Sequence, residues 1–211
     1  MISVYTVNYN TRLDWLKECV KAVSRQSFKK FEYIFIDYGS DNIQDLYYEL
    51  MELCSEIDFR FLKIDKAMGY NFIDAIRYAL MQSNYKYILR ADGDDIMHPD
   101  CLKTLIKHSY ENHVVYGDYY IINENNEYME NNSHKTFLPA HALIDRSVLE
   151  KTKFYDGQSM RDGTSIEQTL KECSEFWVKE ISDKLFFYRK HSNSLTSDHK
   201  LVKSIDERIT K

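Results

Sequence analysis

Ile2-Ser3-Val4-Tyr5-Thr6-Val7 reads as a short buried strand, and directly after it Leu13, Leu16, Val20 and Val23 recur at helical spacing as far as Ser24. This strand-then-helix unit repeats. Phe31 to Asp37 is strand-like and Leu46 to Cys54 helical; Phe59 to Ile64 is strand-like and Phe72 to Met81 helical; Tyr85 to Arg90 is strand-like again. Strands joined to neighbouring strands through helices fold as right-handed crossovers, which place helices on both faces of one sheet. The expected class is therefore α/β, a Rossmann-like, mostly parallel central sheet flanked by helices.

Beyond this half the rhythm changes. Pro99 is expected to begin a helix with Leu102, Leu105 and Ile106 apolar, and Val114 to Ile122 a long aromatic strand. The polar run Asn123 to His134 reads as a hairpin or loop, followed by a helix near Ser165 to Cys173 and two strands, Phe176 to Ile181 and Lys184 to Tyr188. A chain of 211 residues with only two prolines, six glycines and no low-complexity linker fits one domain, since single domains commonly run to about 250 residues. The expectation is a single domain over 1–211, in two halves that change rhythm between 1–98 and 99–211. The charged stretch Lys200 to Lys211 reads either as a closing helix or as the lead into a further domain.

Composition narrows the partners. Hydrophobic residues are 44% and charged residues 29% of the chain, which suits a folded globular protein. A net charge of -5 offers no basic stripe for phosphates, so nucleic acid is not expected as a partner. Cys19, Cys54, Cys101 and Cys173 are widely spaced without a C-x-x-C pair, which suggests neither zinc nor a disulfide framework and fits a reducing cytoplasm. The first residues lack the basic and long apolar regions of a signal peptide, and no stretch is apolar over the roughly 18 residues a membrane span needs.

Open sheets of this class bind ligands beyond the carboxyl ends of their strands. The residues expected there are Asn8-Tyr9-Asn10, Asp37-Tyr38-Gly39-Ser40 and Asp92-Gly93-Asp94-Asp95. Three carboxylates within four residues repel one another unless a cation or hydrogen-bond donors sit among them, so the last group suggests a hard divalent ion, Mn²⁺ or Mg²⁺. A solvated turn capping the next helix is the alternative. A helix-loop-helix calcium site lacks its ligand spacing and closing Glu.

The segment Tyr87-Ile88-Leu89-Arg90-Ala91-Asp92-Gly93-Asp94-Asp95-Ile96-Met97-His98-Pro99 resembles the Asp-x-Asp block of GT-A glycosyltransferases, particularly the large family 2. Ser3 to Asn10 is similar to that family's first strand and Tyr-Asn turn, and Gln26-Ser27-Phe28 with Phe31 to Ser40 to its second block. Ala142 to Ser147 through Phe154-Tyr155-Asp156, and Tyr188-Arg189-Lys190-His191-Ser192-Asn193-Ser194-Leu195-Thr196, are similar to its later blocks, so the resemblance spans nearly the whole chain.

The resemblance implies a nucleotide-sugar site of Val7, Tyr9, Asn10, Asp37, Tyr38, Arg77, Asp92, Gly93 and Arg189. In it Tyr9 stacks on the base, Asp37 lies beside it and Asp92 faces the ribose. It implies a metal held by Asp94, Asp92 and His191, with Arg189, Lys190 and Ser194 offsetting diphosphate charge. The catalytic base falls to Asp162 in Met160-Arg161-Asp162-Gly163, with Glu167 in reserve. Three positions depart from the family's pattern: Tyr38 stands where a second Asp is usual, Arg77 where Asn is frequent, and Arg161 where a Glu usually precedes the base. Uridine is the leading base, with guanosine and thymidine open.

The implied activity is metal-dependent transfer of a sugar from a nucleotide diphosphate, UDP-linked by preference, to a hydroxyl on a glycan or other acceptor, with inversion. A sugar nucleotidyltransferase would need a glycine-rich loop after the first strand, where Asn8-Tyr9-Asn10-Thr11-Arg12 has none. A non-catalytic nucleotide-sugar or glycan-binding module of the same fold stays open through the departures at Tyr38 and Arg161.

Overall fold

A computed structural model of the chain describes residues 1–41, 43–65, 71–129, 138–152 and 162–192. In chain order these form β1 (Ile2–Asn8), α1 (Leu13–Ser24), β2 (Phe31–Asp37), α2 (Ile43–Leu53), β3 (Asp58–Lys63), α3 (Phe72–Gln82), β4 (Tyr87–Arg90), β5 (Ile96–Met97) and α4 (Cys101–Lys107). There follow β6 (Val114–Ile122), a 3₁₀ turn (Pro139–His141), β7 (Ala142–Asp145), α5 (Arg146–Lys151), α6 (Asp162–Glu172) and β8 (Val178–Arg189).

One eight-stranded sheet runs in the order β3-β2-β1-β4-β7-β6-β8-β5. The first four strands in that order are parallel, with Asn8 opposite Asp37 at the ends of β1 and β2. The second part is mixed: β7 is antiparallel to β4 and β6, β8 parallel to β6, and β5 antiparallel to β8. The parallel part is the helix-flanked, Rossmann-like sheet expected from the repeated strand–helix units.

Alternation along the strands builds a core on each face. Ile2 and Val4 of β1 with Phe31, Tyr33 and Phe35 of β2 meet α1, α2 and α4 on one side. Tyr5, Val7, Ile34 and Ile36 meet α3, α5 and α6 on the other. At the amino ends of these strands Glu32 is buried and accepts hydrogen bonds from Ser3 Oγ (2.6 Å), Asn84 N (2.6 Å), Asn84 Nδ2 (2.8 Å) and Arg60 Nη2 (2.6 Å). Burial works against its ionisation, but these donors outweigh it and hold the carboxyl below its ordinary value.

The second half departs from the expectation in two places. The expected strands Phe176 to Ile181 and Lys184 to Tyr188 are not two but one, β8, which starts at Val178 and whose pairing with β6 shifts register twice, passing over Ile181, Ser182 and Asp183 opposite Gly117 and then Leu185. A side chain at Gly117 would lie 2.8 Å from the Asp183 carbonyl oxygen, so glycine is what lets the bulge close on β6. Pro99 precedes its helix, which begins at Cys101. Of the run Asn123 to His134, Asn123 to Asn126 forms a turn that leads to a bridge between Ile122 and Tyr128; positions 130–137 lie outside the described residues. Among the described residues no helix is long and apolar enough to cross a membrane.

Candidate active site

The carboxyl ends of β1 and β2 are locked by Asn8. Its Nδ2 donates to Asp37 Oδ1 (2.8 Å) and Ser40 Oγ (2.9 Å), and Asp37 Oδ2 accepts from the Ser40 amide (3.2 Å). Gly39, at φ 91°, supplies the left-handed residue that turns Ser40 back toward Asp37. Asn10, at φ 51°, donates its amide to Ser40 Oγ (2.9 Å) and joins its side chain to Asp41. Asp37 is thus fixed and 2% exposed, with one lone pair on each oxygen left for a ligand donor. Beside it the rings of Tyr9 and Tyr38 lie 4.9 Å apart at 30°, and Tyr9 is 38% exposed. Burial, then proximity to Tyr9, raises the Tyr38 phenol above its ordinary value, so it serves as a neutral hydrogen-bonding group. Val7 turns its side chain into the core.

The acidic loop follows β4. Thr6 Oγ1 donates to the Ala91 carbonyl (2.7 Å), and the Asp95 amide closes a turn onto the Asp92 carbonyl (3.0 Å). Gly93 is pressed against α1: a Cβ there would lie 3.0 Å from Leu16 Cδ1 and 3.3 Å from Thr11 Oγ1. Its service in this structure is close approach of the loop to α1. The three carboxylates have separate surroundings. Asp92 is held by Arg90, whose Nε lies 2.7 Å from Oδ1 and whose Nη2 donates to Oδ2 (3.2 Å). Asp94 Oδ2 lies 2.8 Å from His191 Nε2. Asp95 is 5% exposed; one oxygen accepts the Arg189 amide (2.9 Å) and the other lies 3.1 Å from His141 Nε2. Burial and then the neighbouring Asp94 raise Asp95 well above the ordinary carboxylate range, while burial lowers His141 to about 4. Both shifts favour neutral side chains.

Asp94 and His191 are therefore brought together, whereas Asp92 is drawn aside by Arg90. Among the described residues no three His, Cys, Asp or Glu side chains converge on one point. An oxygen and an imidazole nitrogen side by side nevertheless suit Mn²⁺ or Mg²⁺, ions often held by one or two protein groups with phosphate oxygens completing the shell.

Arg189 is placed differently from its expected role. It is 0% exposed, and its guanidinium donates from Nε to the Asp94 carbonyl (2.9 Å), from Nη2 to Glu18 (2.7 Å) and from Nη1 to Asn126. It secures the acidic loop, α1 and the 123–126 turn to one another from beneath, rather than presenting charge at the surface. Arg77 pairs with Asp74 within α3 (3.1 Å). Lys190 is exposed, and Ser194 lies outside the described residues.

Asp162 is the first residue of α6, and its side chain lies outside what is described. Its neighbour Gly163 abuts Pro139 of the 3₁₀ turn, where an added Cβ would lie 3.1 Å from Pro139 Cγ, and that same turn ends in His141. Glu167 is 43% exposed at its side chain, with Lys171 4.0 Å away. Sequence reasoning placed Asn8 at this strand end without a role, and it missed Arg90, Trp15 and His141. The Trp15 ring lies 4.8 Å from His191 and under the guanidinium of Arg12 at 3.9 Å. A place two residues before Asp92 was an available signal for Arg90; none exists for His141, 46 residues from its partner.

Comparison with known proteins agrees with this fold. GlyG, a glycosyltransferase of Streptococcus pneumoniae serotype 4, is 25% identical over 92% of this chain and 72% of its own length. An uncharacterised glycosyltransferase of Haemophilus influenzae is 23% identical over 96% of this chain and 54% of its own, and one of Rickettsia conorii 33% identical over 61% and 21%. The chain thus spans most of one curated relative and about half or less of the others. Among solved structures, S. aureus TarS 1-349 in complex with UDP-GlcNAc superposes with a TM-score of 0.70 at 16% identity, over all of this chain and 66% of that one. The mannosyltransferase PcManGT from Pyrobaculum calidifontis, in complex with GDP-Man and Mn²⁺, gives 0.70 at 13% identity, over 100% and 64%. The model of glycosyl transferase family 2 matches residues 3–165, and the chain belongs to that family of GT-A glycosyltransferases.

Proposed function

We propose that this chain is a metal-dependent, inverting hexosyltransferase that takes sugar from a nucleotide diphosphate, UDP-linked by preference, and delivers it to a hydroxyl of a glycan or other acceptor. The observation that carries the reading is the 2.8 Å contact of Asp94 and His191 at the same sheet end as the Tyr9–Tyr38 ring pair. In this reading 1–98 binds the donor, with Tyr9 against the base, Asp37 and Tyr38 meeting its polar edge and Asp92 near the ribose. Residues 99–211 supply the acceptor side. Support for a nucleotide-sugar donor comes from UDP-GlcNAc and GDP-Man in the neighbouring structures, and for the metal from Mn²⁺ in one of them.

Asp94 and His191 would hold the ion, which offsets the negative charge that develops on the leaving diphosphate. Asp162, as carboxylate, takes the proton of the acceptor hydroxyl while its oxygen bonds to the anomeric carbon and the carbon–oxygen bond to the diphosphate breaks on the opposite face. A single displacement of this kind inverts the anomeric centre. The test is release of nucleoside diphosphate from a panel of UDP- and GDP-sugars, with and without Mn²⁺. Asp94→Asn is expected to lose the metal-dependent part, and Asp162→Asn to lose turnover while still binding donor. Donor binding without release or transfer by the native chain would favour the non-catalytic module.

A further inference from the structure

Asp94 and His191 lie 97 residues apart in the chain. One belongs to the loop after β4 and the other lies two residues beyond the end of β8, so some contact between those segments must fix their meeting. Asp95 is the join. It accepts the backbone amide of Arg189 at 2.9 Å on one oxygen and meets His141 Nε2 at 3.1 Å on the other, while the Arg189 side chain returns to the carbonyl of Asp94 at 2.9 Å. The Arg189 guanidinium also reaches Glu18 and Asn126 outside these two segments, but on the Asp95 carboxyl itself the outside contact is His141. The His141 ring stacks on Phe186 at 4.3 Å and 15°, and its amide donates to the Leu138 carbonyl at 2.8 Å within the 3₁₀ turn. Both His141 and Asp95 are buried, at 2% and 5% exposure, so water does not readily replace either partner.

We propose that His141 is a positioning residue of the metal site: by fixing the Asp95 carboxyl it sets the end of β8 against the acidic loop, and thereby keeps His191 beside Asp94. Without it, one buried oxygen of Asp95 loses its partner, and the carboxyl turns toward solvent and releases the Arg189 amide. This rests on the assignment of Asp94 and His191 to a metal, and groups that orient metal ligands commonly govern affinity as strongly as some ligands do.

The experiment compares native protein, His141→Leu, His141→Met and His141→Gln by two measurements. The first is Mn²⁺ affinity in the presence of UDP, read from the resonance of free Mn²⁺. The second is hydrogen exchange of the 92–97 and 186–192 backbone without metal. The apolar variants are expected to weaken Mn²⁺ binding by roughly 10-fold or more and to speed exchange at the Arg189 amide. Gln reaches the place of Nε2 with a group that can donate or accept, and is expected to restore both. Native affinity and native exchange in the apolar variants overturn the proposal. So does equal impairment with Gln, which would assign His141 to packing on Phe186; that comparison decides even where neither apolar variant folds. If the native chain binds no Mn²⁺, the metal assignment fails and exchange alone decides, unchanged protection in the variants refuting the positioning role.

Discussion

Arg189 shows how a residue can belong to a site without touching what the site binds. Its guanidinium, 0% exposed, is shared among Glu18, Asn126 and the Asp94 carbonyl, so the strand end that carries His191 is anchored to α1 and to the acidic loop at once. Removing it leaves Glu18 without that charge partner and the Asp94 carbonyl without its donor. Arg189→Ala is accordingly expected to lower stability by about 3 kcal/mol, read as a reduced urea midpoint. The same loss should appear without donor or metal, which separates it from a role in diphosphate binding. The sequence placed Asp94 and His191 in one neighbourhood because each stands in a recognisable block. It was blind to the burial that makes Arg189 a strut, and to His141, whose meaning comes only from Asp95 across 46 residues.

Among elements, the long amphipathic helices and fully buried strands were legible, while the short antiparallel ones were not. β5 has two residues and β7 four, too few for any periodicity to show, and their strand character comes from the neighbours they pair with. β8 misled for the opposite reason, since Ser182 and Asp183 look like a turn but bulge within one strand. Gly117→Ala would set a Cβ 2.8 Å from the Asp183 carbonyl and 2.9 Å from Leu185 Cδ1, where a backbone atom cannot swing away. A loss of about 2 kcal/mol is expected by chemical denaturation. At the other end of the sheet, the hydrogen-bonded Glu32 ties β1, β2, β3 and the entry to β4. Its folded pKa is depressed, so its contribution is present above the unfolded value of about 4.3 and is lost as pH falls through the folded value. Stability measured from roughly pH 5 downward should therefore fall more steeply in the native chain than in Glu32→Gln, which is less stable at neutral pH but has no carboxyl there to protonate. Parallel acid limbs would show that Glu32 is not a source of that dependence.

For the molecule as a whole, the loops after β1, β2 and β4 and the end of β8 lie at one end of the sheet, which carries both the Tyr9–Tyr38 ring pair and the Asp94–His191 pair. A ligand that contacts both should stabilise the fold as a unit, because binding to the native state alone raises its free energy of unfolding by RT ln(1 + [L]/Kd). At a concentration of 100 times Kd that is about 2.7 kcal/mol, which for a chain of this size corresponds to roughly 5–10 °C in melting temperature. UDP with Mn²⁺ is expected to give a shift of this order, and UDP alone a smaller one, since stacking on Tyr9 and contact with Asp37 do not need the ion. GDP carries a larger base and different edge groups, and Tyr38, standing where a second carboxylate is usual in the family, leaves one hydrogen-bonding hydroxyl to meet it. A larger shift with GDP than with UDP would therefore reverse the base assignment while leaving the metal site intact. Asp94→Asn sorts the two contributions: it should abolish the increment due to Mn²⁺ and preserve the shift due to nucleotide alone. If that variant kept the full Mn²⁺ increment, the ion would have to bind elsewhere than beside His191.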